Sequence, residues 1–188
     1  MTSSEPSYLL DKSVARRLIE SLYHLDDLTA DEELVLALWR QLRLQRTRLF
    51  VPGGVIHILG RFNHLAEVQA FLGAVEPLEP GRYFKRWARR LREHGFTRED
   101  AYILSLATFG FDPSSGSLGV SGLITLDWPF INNFEQQRQE LQRRLASMVS
   151  QLPSPYKQAT LPVLWHPLAL LIKMLQEEDS VDEPMERK

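Results

Sequence analysis

The sequence predicts an α/β fold, a parallel sheet covered by helices on both faces. Three observations carry that expectation. First, short apolar runs at residues 8–10, 48–51, 74–78, 122–126 and 161–165 are separated by segments with helical periodicity. Strands that alternate with helices build sheets buried on both sides. Second, the 188 residues are 44% apolar and 24% charged, so the chain can bury a sizeable core without covalent staples. Third, no internal repeat and no linker interrupts the pattern. One domain over residues 8–175 follows, with residues 1–7 and 176–188 as polar tails expected to be disordered.

The run 8–10 ends at Asp11. Residues 13–23 follow as a helix with Val14, Leu18, Ile19 and Leu22 on one face. Thr29 and Glu32 form a capping-box pattern, and the helix behind them carries Leu34, Leu38 and Leu42. The strand 48–51 is stopped by Pro52-Gly53-Gly54. Residues 55–62 and 65–72 read as helical. The strand 74–78 belongs at an edge, because Pro77 has no N–H for a ladder. Residues 82–94 form an amphipathic helix, with Phe84, Trp87, Ala88 and Leu91 spaced i, i+3, i+4, i+7 and Gly95 as its stop. Thr97 opens a helix that is apolar nearly all round and so is expected to be buried. A Gly- and Ser-rich loop at 112–121 leads to the strand 122–126, which ends at Asp127. A polar helix at 135–150 precedes the last strand, His166-Pro167 and an apolar helix to Leu175.

Composition excludes several classes. The chain has no cysteine, which removes a disulfide framework, a thiolate nucleophile and Cys-ligated metal centres. Its net charge is −2, so the molecule as a whole is not a strongly basic nucleic-acid binder. No apolar run approaches the roughly 20 residues of a membrane span. The opening residues lack a basic stretch followed by an apolar one, so no signal peptide is expected, and a cytoplasmic location is the default.

In a βαβ chain the C-terminal ends of the strands meet the helix N-termini along one edge, where ligands bind. Asp11, Asp100 and Asp127 fall on that edge, and His57 lies in the first turns after the second strand. Converging carboxylates repel one another. A hard divalent cation, Mg²⁺ or Mn²⁺, would offset that cost and could activate water against a phosphate. Each residue also has an ordinary structural use. Asp11 suits an N-cap, Asp100 a capping box with Thr97, Asp127 a turn, and His57, between Ile56 and Ile58, a packed or surface position.

Between residues 82 and 98 stand seven cations, Arg82, Lys85, Arg86, Arg89, Arg90, Arg92 and Arg98, against the single acid Glu93. Those through Arg92 lie opposite Phe84, Trp87 and Leu91, giving a stripe suited to phosphates through counterion release. Arg40, Arg43, Arg46 and Arg48 form a second cluster. Both also read as solvated helix faces. Trp87 belongs to the core, and Tyr83 is the better candidate for stacking on a base.

At these acidic residues the chain resembles the PIN-domain family of metal-dependent ribonucleases. The motifs are Leu9-Leu10-Asp11, Gly95-Phe96-Thr97-Arg98-Glu99-Asp100-Ala101, the Thr-x-Asp-x-x-Phe of Thr125 to Phe130, and a closing Leu161-Pro162-Val163-Leu164-Trp165-His166-Pro167. The resemblance implies a three-layer α/β/α arrangement with a central parallel sheet of about five strands. It also implies an acidic pocket that binds Mg²⁺ or Mn²⁺ through Asp11, Asp100 and Asp127 and cleaves single-stranded RNA. The family's usual glutamate after the second strand falls on His57, which lowers the negative charge of the site; Glu99 is not expected to compensate. In this reading Arg82, Lys85, Arg86, Arg89 and Arg92 guide the RNA. A homodimer or an antitoxin-like protein partner is compatible with the resemblance. The rival is the same fold with a spent site that binds RNA or protein without cleaving. A metabolic α/β enzyme is disfavoured, because Pro52-Gly53-Gly54 lacks the spacing of a phosphate-binding glycine loop.

Overall fold

The computed structural model describes residues 5–45, 47–116 and 118–181. The chain is an α/β protein built on one six-stranded sheet. Its strands are β1 (Ser7–Leu10), β2 (Arg48–Pro52), β3 (Val75–Pro80), β4 (Gly110–Phe111), β5 (Gly122–Ile124) and β6 (Val163–Trp165), in the order β4-β3-β2-β1-β5-β6. β1 pairs in parallel with β2 and β5, β2 with β3, and β5 with β6. β4 joins β3 antiparallel through Glu79 and Pro80. The sheet is therefore mixed, where the sequence suggested about five parallel strands. The extra strand is only two residues long, too short to leave a pattern. Gly110 makes its approach possible, because a Cβ there would strike the Leu106 carbonyl and stand 2.6 Å from Leu78 Cδ2. Pro77 is accommodated because only the last two residues of β3 need a partner on that side.

The helices are α1 (Lys12–Tyr23), α2 (Ala30–Leu44), α3 (Gly53–Leu59), α4 (Ala66–Ala74), α5 (Phe84–Glu93), α6 (Arg98–Phe109), α7 (Trp128–Val149) and α8 (Pro167–Val181). Side chains alternate across each strand, and two cores result. Leu9, Phe50, Leu78, Leu123 and Leu164 pack with Trp87, Leu104 and Phe134 of α5, α6 and α7. Tyr8, Leu10, Leu49, Val51 and Ile124 pack with Leu18, Trp39, Phe71 and Leu170 of α1, α2, α4 and α8.

Several boundaries differ from expectation. α3 begins at Gly53 and not beyond Gly54. α7 begins at Trp128, because Asp127 caps it and Pro129 fits a first turn that needs no N–H from that residue. α8 continues past Leu175 to Val181, so part of the tail expected to be disordered is helical. Residues 1–4 and 182–188 lie outside the described residues, as does Arg46 of the second basic cluster. Gly95 does end the α5 segment, at φ +81°.

Candidate functional site

The chain runs outward from β1 to β2 and β3, then returns to place β5 on the other side of β1. Strand order reverses between β1 and β5, and the crevice outside their C-terminal ends is the usual ligand position in such sheets. Asp11 follows β1 directly, its N–H bonded to the Ile124 carbonyl at 2.9 Å. Thr125 and Asp127 follow β5. The Thr125 hydroxyl is buried between them, donating to Asp11 Oδ2 at 3.0 Å and accepting from the Asp127 N–H at 3.2 Å. Thr125 thus ties the ends of β1 and β5 together.

Asp11 and Asp127 are also helix N-caps, and Asp100 is the third residue of a capping box. Asp11 Oδ1 accepts from the Lys12 N–H at 2.6 Å, and its Oδ2 accepts from the Ser13 hydroxyl at 2.8 Å. Asp127 Oδ1 accepts from the Phe130 N–H at 2.9 Å. Asp100 accepts from the Thr97 N–H at 3.3 Å, completing a capping box. The N-termini of α1, α6 and α7 therefore meet at this edge. Their N–H groups and dipoles favour negative charge there. Among the described residues, no three Asp, Glu or His side chains stand close enough together to hold a metal ion.

Two depressions adjoin this edge. A cleft of about 700 Å³ is bordered by Asp11, Lys12, Lys85, Arg89, Arg92, Arg98 and Glu99, over an apolar floor that includes Val55, Phe84 and Tyr102. A neighbouring depression is lined by Glu99, Asp100, Asp127 and Asn133. Glu99 borders both, so it belongs to the acidic edge although the sequence suggested that it points elsewhere. His57 is exposed and borders neither depression; α3 instead presents Gly54 and Val55 to the cleft. Starting α3 at Gly53 sets that phase. A further carboxylate, Glu79 near the end of β3, lies against Gly53, where any side chain would collide with it. Burial raises the pKa of the Tyr102 phenol, and the charge of Glu79 adds to the rise.

The basic helix divides its charge. Lys85, Arg89 and Arg92 face the cleft, where they make no ion pair among the described residues. Arg86 and Arg90 turn to the opposite flank, beside Arg144. Arg82 sits over the Tyr83 ring at 5.5 Å. Tyr83 packs edge-on against Phe109 and Tyr156, so its ring is not a free stacking platform. In the second cluster, Arg48 is a structural ion-pair residue, bonded to Asp112 at 2.6 Å and Glu76 at 3.0 Å.

No family model, curated protein or solved structure matches the chain. No helix among the described residues is long and apolar enough to cross a membrane.

Proposed function

We propose that the protein is a divalent-metal-dependent endoribonuclease acting on single-stranded RNA at the edge formed by β1 and β5. One observation carries the reading: Asp11 and Asp127 stand on either side of one buried hydroxyl, and Asp11 borders a rim of cations that make no ion pair among the described residues. Carboxylates beside cations suit a phosphodiester, whose charge needs neutralising on one side and whose attacking water needs a base or a metal on the other. Mg²⁺ retains several waters and is commonly held through one or two carboxylates together with substrate phosphate. Asp11 and Asp127 supply such hard oxygens, with Asp100 and Glu99 alongside. When bound, the ion supplies Lewis-acid neutralisation of the phosphate. Lys85, Arg89, Arg92 and Arg98 would hold the strand, and Tyr102 offers a partly exposed ring beside them for an unpaired base. The PIN-like resemblance implies the same assignment.

The test is cleavage of labelled single-stranded RNA in Mg²⁺ or Mn²⁺ by the wild type, Asp11→Asn and Asp127→Asn. Metal-dependent cleavage that both variants lose supports the enzyme. The second reading, an RNA-binding module with a spent site, is favoured by the lack of three grouped ligands among the described residues and by the capping roles of all three aspartates. RNA binding without cleavage in either metal would select it.

A further inference from the structure

Trp128 opens α7, directly after Asp127. Its indole lies almost flat on the imidazole of His166, with the ring centroids 4.3 Å apart and the planes at 14°. His166 is itself fixed. It is 8% exposed, and its Nδ1 accepts from the Leu168 N–H at 3.3 Å, at the start of α8. One face of the indole is therefore covered, yet Trp128 is 50% exposed. A flat ring with one face covered exposes that much only when its other face is open. Burial does not account for the residue, since Phe130 and Ile131 join the start of α7 to the core. What remains is a large, rigid aromatic surface held from behind.

Its surroundings select the ligand. Asp127 and Pro129, the chain neighbours of Trp128, line the acidic depression together with Arg98, and Arg98 also borders the cationic cleft. The cleft lies at Asp11 and Pro52, beside the ends of β1 and β2, whereas His166 follows β6. Along the order β2-β1-β5-β6, cations, acids and the open ring succeed one another on one edge, with adjacent strands about 4.8 Å apart. Phosphates favour the cations, and an unpaired base favours an open aromatic face. We propose that Trp128 is a stacking platform for an unpaired base of single-stranded RNA, on the far side of the acids from Tyr102. A duplex, whose bases already stack on one another, has none to offer. The role rests on the RNA reading of the acidic edge.

The test follows the Trp128 indole N–H resonance of the ¹⁵N-labelled full chain, assigned by its loss in Trp128→Phe. Divalent metal is left out so that nothing is cleaved. A short single-stranded RNA should move the resonance upfield and saturably, and an abasic strand of equal length should leave it in place. Trp128→Leu should weaken binding of the RNA roughly 5- to 100-fold by fluorescence anisotropy, and Trp128→Phe by less. Trp128 also covers His166, so circular dichroism checks that each variant is folded; if the leucine variant unfolds, the wild-type resonance decides alone. A resonance unmoved by the RNA, or moved equally by the abasic strand, overturns the proposal. One moved as readily by a mononucleotide overturns it in favour of a free nucleotide. One moved by dilution of the protein alone overturns it in favour of a second copy seated on Trp128 and the exposed Leu168. Metal-dependent cleavage beside an unmoved resonance overturns the platform and keeps the nuclease. A shifted resonance without cleavage in Mg²⁺ or Mn²⁺ keeps the platform and selects the binding module.

Discussion

Replacing Thr125 by valine keeps the β-branched shape and removes both hydrogen bonds that join the two strand ends. Asp11 loses the donor at 3.0 Å, and the Asp127 N–H loses the acceptor at 3.2 Å. A hydrogen bond to an ionised group is worth about 1.5–3 kcal/mol. Asp11 keeps Lys12 N–H and Ser13 Oγ, and Asp127 is exposed enough for water to replace its partner, so the low end applies. The added methyl group returns up to about 0.8 kcal/mol through burial. A net loss of about 1 kcal/mol is expected, which lowers Tm by roughly 2–4 °C in a chain of this size. Urea unfolding followed by circular dichroism should show a lower midpoint at an unchanged slope. RNA cleavage should fall further than stability, because Asp11 loses the bond that ties its carboxylate to the end of β5 and keeps only those from the start of α1. Thr125→Ser keeps the hydroxyl and should recover cleavage while remaining less stable than wild type. Valine and wild-type proteins with equal midpoints and equal cleavage would refute a positioning role for this hydroxyl.

Four further outcomes are expected. Burial pushes the Asp112 carboxyl up, but bonds from Ser115, Arg48 and the Ser114 and Ser115 N–H groups outweigh it and hold the pKa at about 2 against an ordinary 3.8. Its stabilisation, about 2 kcal/mol at ~1.4 kcal/mol per pKa unit, is complete above pH 3.8 and fades toward pH 2; Asp112→Asn should flatten urea midpoints across that window. Gly110→Ala forces a Cβ onto the Leu106 carbonyl and should cost about 1–3 kcal/mol by the same assay. His57→Ala should leave stability within about 0.5 kcal/mol and leave cleavage unchanged, since the side chain is exposed and outside the cleft; lost cleavage would return His57 to the site. Arg89→Gln should weaken RNA binding and reduce the slope of log K against log salt by about 0.7, as measured by fluorescence anisotropy.

Much of this edge was legible because its signals are local. An aspartate after an apolar run becomes an N-cap wherever the next helix starts, and Thr97 with Asp100 specifies a capping box on its own. The amphipathic phase of α5 likewise buried Phe84, Trp87 and Leu91 as its spacing requires. The less legible features depend on neighbours distant in sequence. β4 exists only because Gly110 can approach Leu78. The direction of His57 followed from a helix starting at Gly53, which the Pro-Gly-Gly stretch disguised as a breaker. Glu99 meets the cleft because α5 lies across from it, and the division of α5's cations between two flanks depends on where α7 packs. The Thr125 hydroxyl left only one sequence signal, its place two residues before Asp127.

β1 is the keystone of the sheet. Within the sheet, β1 joins the β2–β3–β4 set to the β5–β6 set, fastened by bonds between Ser7 and Ser121, 114 positions apart. The molecule therefore has a mechanical polarity. Force applied from the N-terminal end, by an unfoldase or an optical trap, draws the keystone first and lets both sets part in one event. Traction from the other end strips α8 and the outer strand β6 before it reaches the centre, so resistance comes in stages.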